Sequence, residues 1–215
     1  MKYEAIIFDM DGTLFQTNEI LEPALEDTFS HLRLIDEWSG QTPIQTYREI
    51  MGVPLQVVWE TLLPNHSDTV RQLANSIFHE MLIKYIQQGR GALYPHACEV
   101  LDYLKQAGCS IFIASNGAAH YLNAIVSYYK LDQWLEETFS IEQIESDDKA
   151  DLVSRMKWEY RLEHAAVVGD RIIDINAARR NGFTAIGCRF DFSVEEELAK
   201  ADIVIDDLLE LKTIV

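Results

Sequence analysis

The stretch Ala5-Ile6-Ile7-Phe8-Asp9-Met10-Asp11-Gly12-Thr13 passes abruptly from four apolar residues to two carboxylates and a glycine. A short, continuous apolar run without polar alternation is the pattern of a strand buried on both faces, as in a parallel sheet covered by helices on each side. Asp-Gly is a frequent turn pair, so Asp9 to Gly12 taken alone reads equally well as the turn that ends the strand. It is not a calcium-binding loop. Such a loop needs glycine at its sixth position and a bidentate glutamate at its twelfth, whereas counting from Asp9 places Gly12 fourth and Ile20 twelfth.

Downstream the pattern turns helical from about residue 16 to residue 88. Ile20, Leu21, Ala24, Leu25, Thr28, Phe29 and Leu32 trace one face, with Pro23 expected near the helix start. Val70, Leu73, Ala74, Ile77, Phe78, Met81, Leu82, Tyr85 and Ile86 trace a second, and Gly89 and Gly91 follow as stop signals. Beyond Pro95 helices and strands alternate. Strands are expected at Ser110 to Ala114, Thr138 to Ile141, Ala165 to Val168, Thr184 to Gly187 and Ile203 to Ile205. Helices are expected at Ala118 to Lys130, Lys149 to Arg161 and Ile172 to Asn181. This rhythm predicts an α/β, doubly wound parallel sheet interrupted by an all-helical insertion. The expected division is 1–16 with 89–215 for the sheet and 17–88 for the helices.

Ligands of such sheets gather outside the carboxyl ends of the strands. Those ends carry Asp9 and Asp11, Ser115 and Asn116, Lys149, and Asp170 with Asp174. Carboxylates converging on one rim repel one another unless a hard cation sits among them, and an oxygen-only set favours Mg²⁺ over zinc. Net charge leads to the same place. Lys and Arg total 18 against 35 Asp and Glu, a formal charge of −17, which disfavours nucleic acid and acidic membrane surfaces as partners. Asp170 alone also reads as a helix cap, and Lys149 alone as a solvated lysine at a helix start. No other lysine lies between Lys130 and Lys157 to meet an anion.

Asp9-Met10-Asp11-Gly12-Thr13, Ser115-Asn116, Lys149 and Gly169-Asp170 with Asp174 resemble, in order and spacing, the four motifs of the haloacid dehalogenase superfamily. The likeness spans the chain, which is similar to the helical-cap, phosphoglycolate phosphatase-like branch, with a Rossmann-like core. It implies that Asp9 attacks phosphorus to form an aspartyl-phosphate, and that Asp11 serves as general acid and base. It implies a Mg²⁺ held by Asp9, the Asp11 carbonyl and Asp170, with Asp174 in support, and a phosphoryl group gripped by Ser115 and Lys149, with Asn116 at the same turn. The substrate class implied is a small phosphorylated metabolite. Dehalogenases of the superfamily lack an aspartate at the place of Asp11, and its sugar phosphomutases usually carry a histidine where this chain has Leu21. A phosphonate hydrolase needs a cap lysine, and Lys84 is the only lysine between Lys2 and Lys105. One departure is Ala150, where many relatives have proline. A catalytically silent phosphate-binding regulator is the competing reading; the intact Asp9, Asp11, Lys149 and Asp170 argue against it.

In the helical insertion, Arg48 precedes the turn Met51-Gly52-Val53-Pro54 and is a candidate to meet a substrate carboxylate or second phosphate; a solvated arginine is the plain alternative. Cys98, Cys109 and Cys188 show no pairing motif and read as buried free thiols. The apolar run before Asp9 is too short for a signal peptide or a membrane span, so a cytoplasmic protein without a membrane partner is expected, with monomer as the default.

Overall fold

A computed structural model describes residues 2–50, 53 and 55–215. Six parallel strands form one sheet in the order β3-β2-β1-β4-β5-β6. They are β1 (Ala5–Phe8), β2 (Ser110–Ser115), β3 (Glu137–Ser140), β4 (Ala165–Gly169), β5 (Thr184–Cys188) and β6 (Ile203–Ile205). The first strand is thus central, paired with β2 on one side and β4 on the other. Ala5 and Ile7 face a core shared with Phe112, Phe139, Leu152, Val153, Met156, Val167 and Ile175. Ile6, Phe8, Ile111 and Ile113 alternate with these along the strands and are equally buried, so both faces of the sheet are covered. Complete burial of Ile6, Ile7 or Phe8 contributes about 1.5–3 kcal/mol each, and this is why the run carries no polar residue.

The chain divides into two compact units, one of residues through Gln16 with Leu93–Val215, the other Thr17–Ala92. The second consists of α1 (Asn18–Leu34), α2 (Ile44–Glu49), α3 (Leu55–Leu62) and α4 (Asp68–Gln87). α1 and α4 pack together, joined by the Tyr85 hydroxyl donating to Asp27 at 2.5 Å. Ser67 caps α4 by accepting from the Val70 amide. The buried stripe of α4 is narrower than its apolar spacing predicts: Ala74, Phe78, Leu82, Tyr85 and Ile86 are inside, Leu73 is exposed, and His79 is buried with its ring against the Asn75 carbonyl. Pro23 lies in the second turn of α1 and not at its start, where it withholds an amide from the Glu19 carbonyl without ending the helix.

In the sheet-bearing unit the strands are connected by α5 (Ala97–Gln106), α6 (Ala119–Tyr129), α7 (Lys149–Tyr160) and α8 (Ile172–Arg180), with the short α9 (Glu195–Leu198) and α10 (Leu211–Ile214) near the end. All three cysteines are free. Cys109 and Cys188 are buried as expected, but Cys98 is exposed because it lies on the outer face of α5. Among the described residues no helix is long and apolar enough to cross a membrane.

Candidate active site

Because β1 is flanked by β2 and β4, the residues that follow these three strands meet at one edge of the sheet. The Asp9 amide donates to the Val168 carbonyl at 2.8 Å, which carries the β1–β4 ladder one residue past β1 and fixes Asp9 beside Gly169 and Asp170. Asp170, 1% exposed, accepts the Thr13 hydroxyl through Oδ1 at 3.3 Å. Its Oδ2 is buried and has no hydrogen-bond partner among the described residues. Asp174, in the first turn of α8, turns Oδ2 back to the Arg171 amide at 3.2 Å.

Two glycines make this packing possible. A Cβ on Gly169 would overlap the Asp174 carboxyl. Gly12 has φ +83°, and a Cβ there would stand 2.6 Å from Asp170 Oδ2 and 2.9 Å from the Phe192 ring. Both the left-handed backbone and the absent side chain are therefore required. Gly12→Ala is expected to cost about 1–3 kcal/mol of stability and to weaken divalent-cation binding. Thermal denaturation and calorimetric titration check this, and parent-like values in both would contradict it.

Lys149 is the first residue of α7, and it is buried rather than solvated, at 3% exposure. Asp148 caps the helix by accepting from the Ala150 amide at 2.9 Å. A proline at 150 would have no N–H to give, so the alanine suits this cap. The Lys149 ammonium pairs with Asp9 Oδ1 and lies 2.6 Å from Asp174 Oδ1. Burial opposes its charge, yet Asp174 and Asp9 outweigh that and hold the ammonium above its usual range. For Asp9, burial is the main effect and pushes the carboxyl well up; Lys149 pulls it down, while Asp174, Asp170 and Asp11 add to the rise. Burial, then the Asp174 charge, raises Asp170 to about 7.

Two of the three buried carboxylates, Asp9 and Asp174, thus share the Lys149 ammonium, and Asp170 stands beside them. Asp9, Asp170 and Asp174 each bring one oxygen within 4.8 Å of the others, and the orphaned Asp170 oxygen borders this cluster. Such an all-oxygen set fits a hard divalent cation, which would neutralise the excess charge.

Ser115, 1% exposed, accepts the Gly117 amide at 3.0 Å, and the Gly117 carbonyl accepts the Ser140 hydroxyl at 2.7 Å. Asn116 has its Oδ1 buried with no hydrogen-bond partner among the described residues. The Asp11 carboxylate accepts the Tyr121 hydroxyl at 2.5 Å. Neither Ser140 nor Tyr121 is among the candidates the sequence offers. Nothing in spacing points to them, since Tyr121 sits on the helical repeat of α6 and reads as core. Arg48 belongs to the other unit, where it lies on α2 with its side chain 55% exposed and paired with Glu22. Met51, Gly52 and Pro54 of the adjoining turn lie outside the described residues.

A central parallel strand followed by paired aspartates is thus joined, at one edge of the sheet, by a buried lysine that opens α7 and by a second acidic pair that follows β4. Residues 3–182 match the model of the haloacid dehalogenase-like hydrolases, and the chain belongs to that family. It is 21% identical to a 5'-nucleotidase of Pseudomonas aeruginosa, over 92% of this chain and 88% of the relative. It is 24% identical to a phosphoglycolate phosphatase of Agrobacterium fabrum, over 95% and 89%. Among solved structures, CbbY from Rhodobacter sphaeroides in complex with phosphate has the same fold, with a TM-score of 0.83, 21% identity, and coverage of 97% of this chain and 96% of that one.

Proposed function

We propose that the protein is a Mg²⁺-dependent phosphomonoester hydrolase that transfers a phosphoryl group to Asp9 and then to water. The observation that carries this reading is the buried Lys149 bridging Asp9 and Asp174 beside the unpartnered oxygen of Asp170. The ammonium stands at Asp9, where it would offset charge on an incoming phosphoryl group. The Asp9 carboxylate, the Asp11 carbonyl, Asp170 and Asp174 would hold the cation, which when bound polarises the phosphoryl group and screens Asp9 from its substrate.

In the first step an Asp9 oxygen bonds to phosphorus as the bond from phosphorus to the ester oxygen breaks, and a proton passes from the Asp11 carboxyl to that departing oxygen. In the second step Asp11 takes a proton from water as the water oxygen bonds to phosphorus and the Asp9–phosphorus bond breaks. Ser115, Asn116 and Lys149 are assigned to the phosphoryl oxygens. The helical segment 17–88 is assigned the role of a cap that selects the leaving group, with Arg48 as its candidate for a second anionic group. Phosphoglycolate, a sugar phosphate or a nucleotide is the expected substrate class. The named activities of the nucleotidase and phosphoglycolate phosphatase relatives support two of these.

The test is hydrolysis of an aryl phosphate with Mg²⁺ and again with a chelator. Turnover that falls by about a hundredfold or more on chelation is expected, and the same enzyme on a panel of the three substrate classes identifies the leaving group. Absence of hydrolysis throughout, or hydrolysis indifferent to chelation, would sink the proposal.

A further inference from the structure

We infer that Tyr121 is a positioning residue for proton transfer, holding the Asp11 carboxyl in the orientation that serves the departing oxygen. The inference rests on the hydrolase reading above and adds to it a residue that none of its motifs contains. Tyr121 is 4% exposed, and its hydroxyl donates to Asp11 Oδ1 at 2.5 Å across 110 positions of sequence.

The contact is built by the backbone around it. Ser115 at the end of β2 accepts the Gly117 amide, and Ser140 at the end of β3 donates to the Gly117 carbonyl, so the turn between β2 and α6 is tied at both ends. Glu142 accepts the Ala119 amide at 2.8 Å and fixes the first residue of α6. Tyr121 follows two residues later, and its ring crosses Gly117 so closely that a Cβ there would stand 3.2 Å from Tyr121 Cδ1. Strands β1, β2 and β3 are consecutive neighbours in the sheet. The ends of β2 and β3 therefore carry the tyrosine onto the residue that follows β1. A phenol on two stiff torsions, held by packing, restricts a carboxyl that on a turn would otherwise sample several rotamers. Proton transfer requires such placement, and a shift of about 1 Å in a positioned group can cost about a hundredfold in rate.

Orientation of the acid matters only where the leaving group needs a proton, which gives a readout that general damage does not reproduce. Parent and Tyr121→Phe are compared by kcat/KM, which reports the phosphorylation step, on a nitrophenyl phosphate and on an alkyl phosphate in Mg²⁺. Nitrophenolate departs without a proton and an alkoxide does not. Tyr121→Phe is expected to lower kcat/KM on the alkyl ester by about tenfold or more and to change it on the aryl ester by less than about threefold. Equal values for parent and variant on both esters, or an equal fall on both, would overturn the inference. A parent inactive on both esters would instead overturn the hydrolase reading, and this inference with it. Independently of turnover, 3-fluorotyrosine placed at position 121 is expected to change its fluorine resonance on Asp11→Ala, and an unmoved resonance would also count against the contact.

Discussion

Asp9→Asn is expected to lower kcat for the proposed phosphoester hydrolysis by about a thousandfold or more, without unfolding the protein. The amide nitrogen and oxygen of asparagine match the carboxyl in shape but do not attack phosphorus, so the covalent step is lost rather than slowed by misplacement. The backbone amide of residue 9 still donates to Val168, and the side-chain carbonyl still accepts from Lys149. The substitution also removes one of three crowded, buried carboxylates, so the metal-free variant is expected to be at least as stable as the parent. Steady-state kinetics beside a thermal melt checks both halves. Hydrolysis at parental rate would exclude Asp9 as nucleophile, and a strongly lowered melting temperature would mean that activity was lost with the fold.

Lys149→Met is expected to have the opposite balance, with a large loss of stability as well as activity. The ammonium is the only cation bonded to Asp9 and Asp174 among the described residues, and all three groups are buried. Methionine fills similar volume but leaves the carboxylates unpaired, a change that costs about 3–5 kcal/mol when one member of a buried pair is removed. For a chain of this size that corresponds to a fall of about 10 °C in the melting temperature of the metal-free protein. Mg²⁺ is expected to restore part of that loss, since the cation answers the same excess charge. Activity is expected to fall by about a hundredfold or more, because the proposed site loses the positive charge assigned to the phosphoryl oxygens. In the double variant Asp9→Asn/Lys149→Met the stability loss is expected to shrink, because the two side chains are in contact and their effects do not add. A metal-free Lys149→Met that melts with the parent would show that the ammonium does not compensate those carboxylates.

Much of this is legible in the sequence, for reasons that differ between elements. β1 and β6 match the expected ranges, being short apolar runs bounded by charged residues. β2, β4 and β5 each extend one residue further, through Ser115, Gly169 and Cys188, because a parallel ladder continues through backbone groups whatever the side chain. β3 is shifted one residue towards the N-terminus at both ends, to Glu137–Ser140: its ladder with β2 admits the partly buried Glu137, and Ile141 instead opens a 3-10 turn capped by Ser140. The residues after the strands were legible because chain order and topology bring them to one edge. Tyr121 was not, because its contact with Asp11 depends on three loop ends meeting, and no local periodicity encodes that. Lys149 falls between these cases. Its position is readable, but the choice between a solvated and a buried ammonium needs the two carboxylates that pair with it.

The proposed hydrolysis turns on a covalent phosphoryl group carried by Asp9. Borohydride reduces an acyl phosphate to the alcohol, so acid-quenched enzyme taken during turnover with Mg²⁺ and substrate, then reduced and sequenced by mass spectrometry, reads out the acceptor directly. Homoserine at position 9, absent when substrate or Mg²⁺ is omitted, is the predicted result; homoserine at another aspartate, or none while turnover proceeds and an acyl-phosphate standard is reduced in parallel, would contradict it.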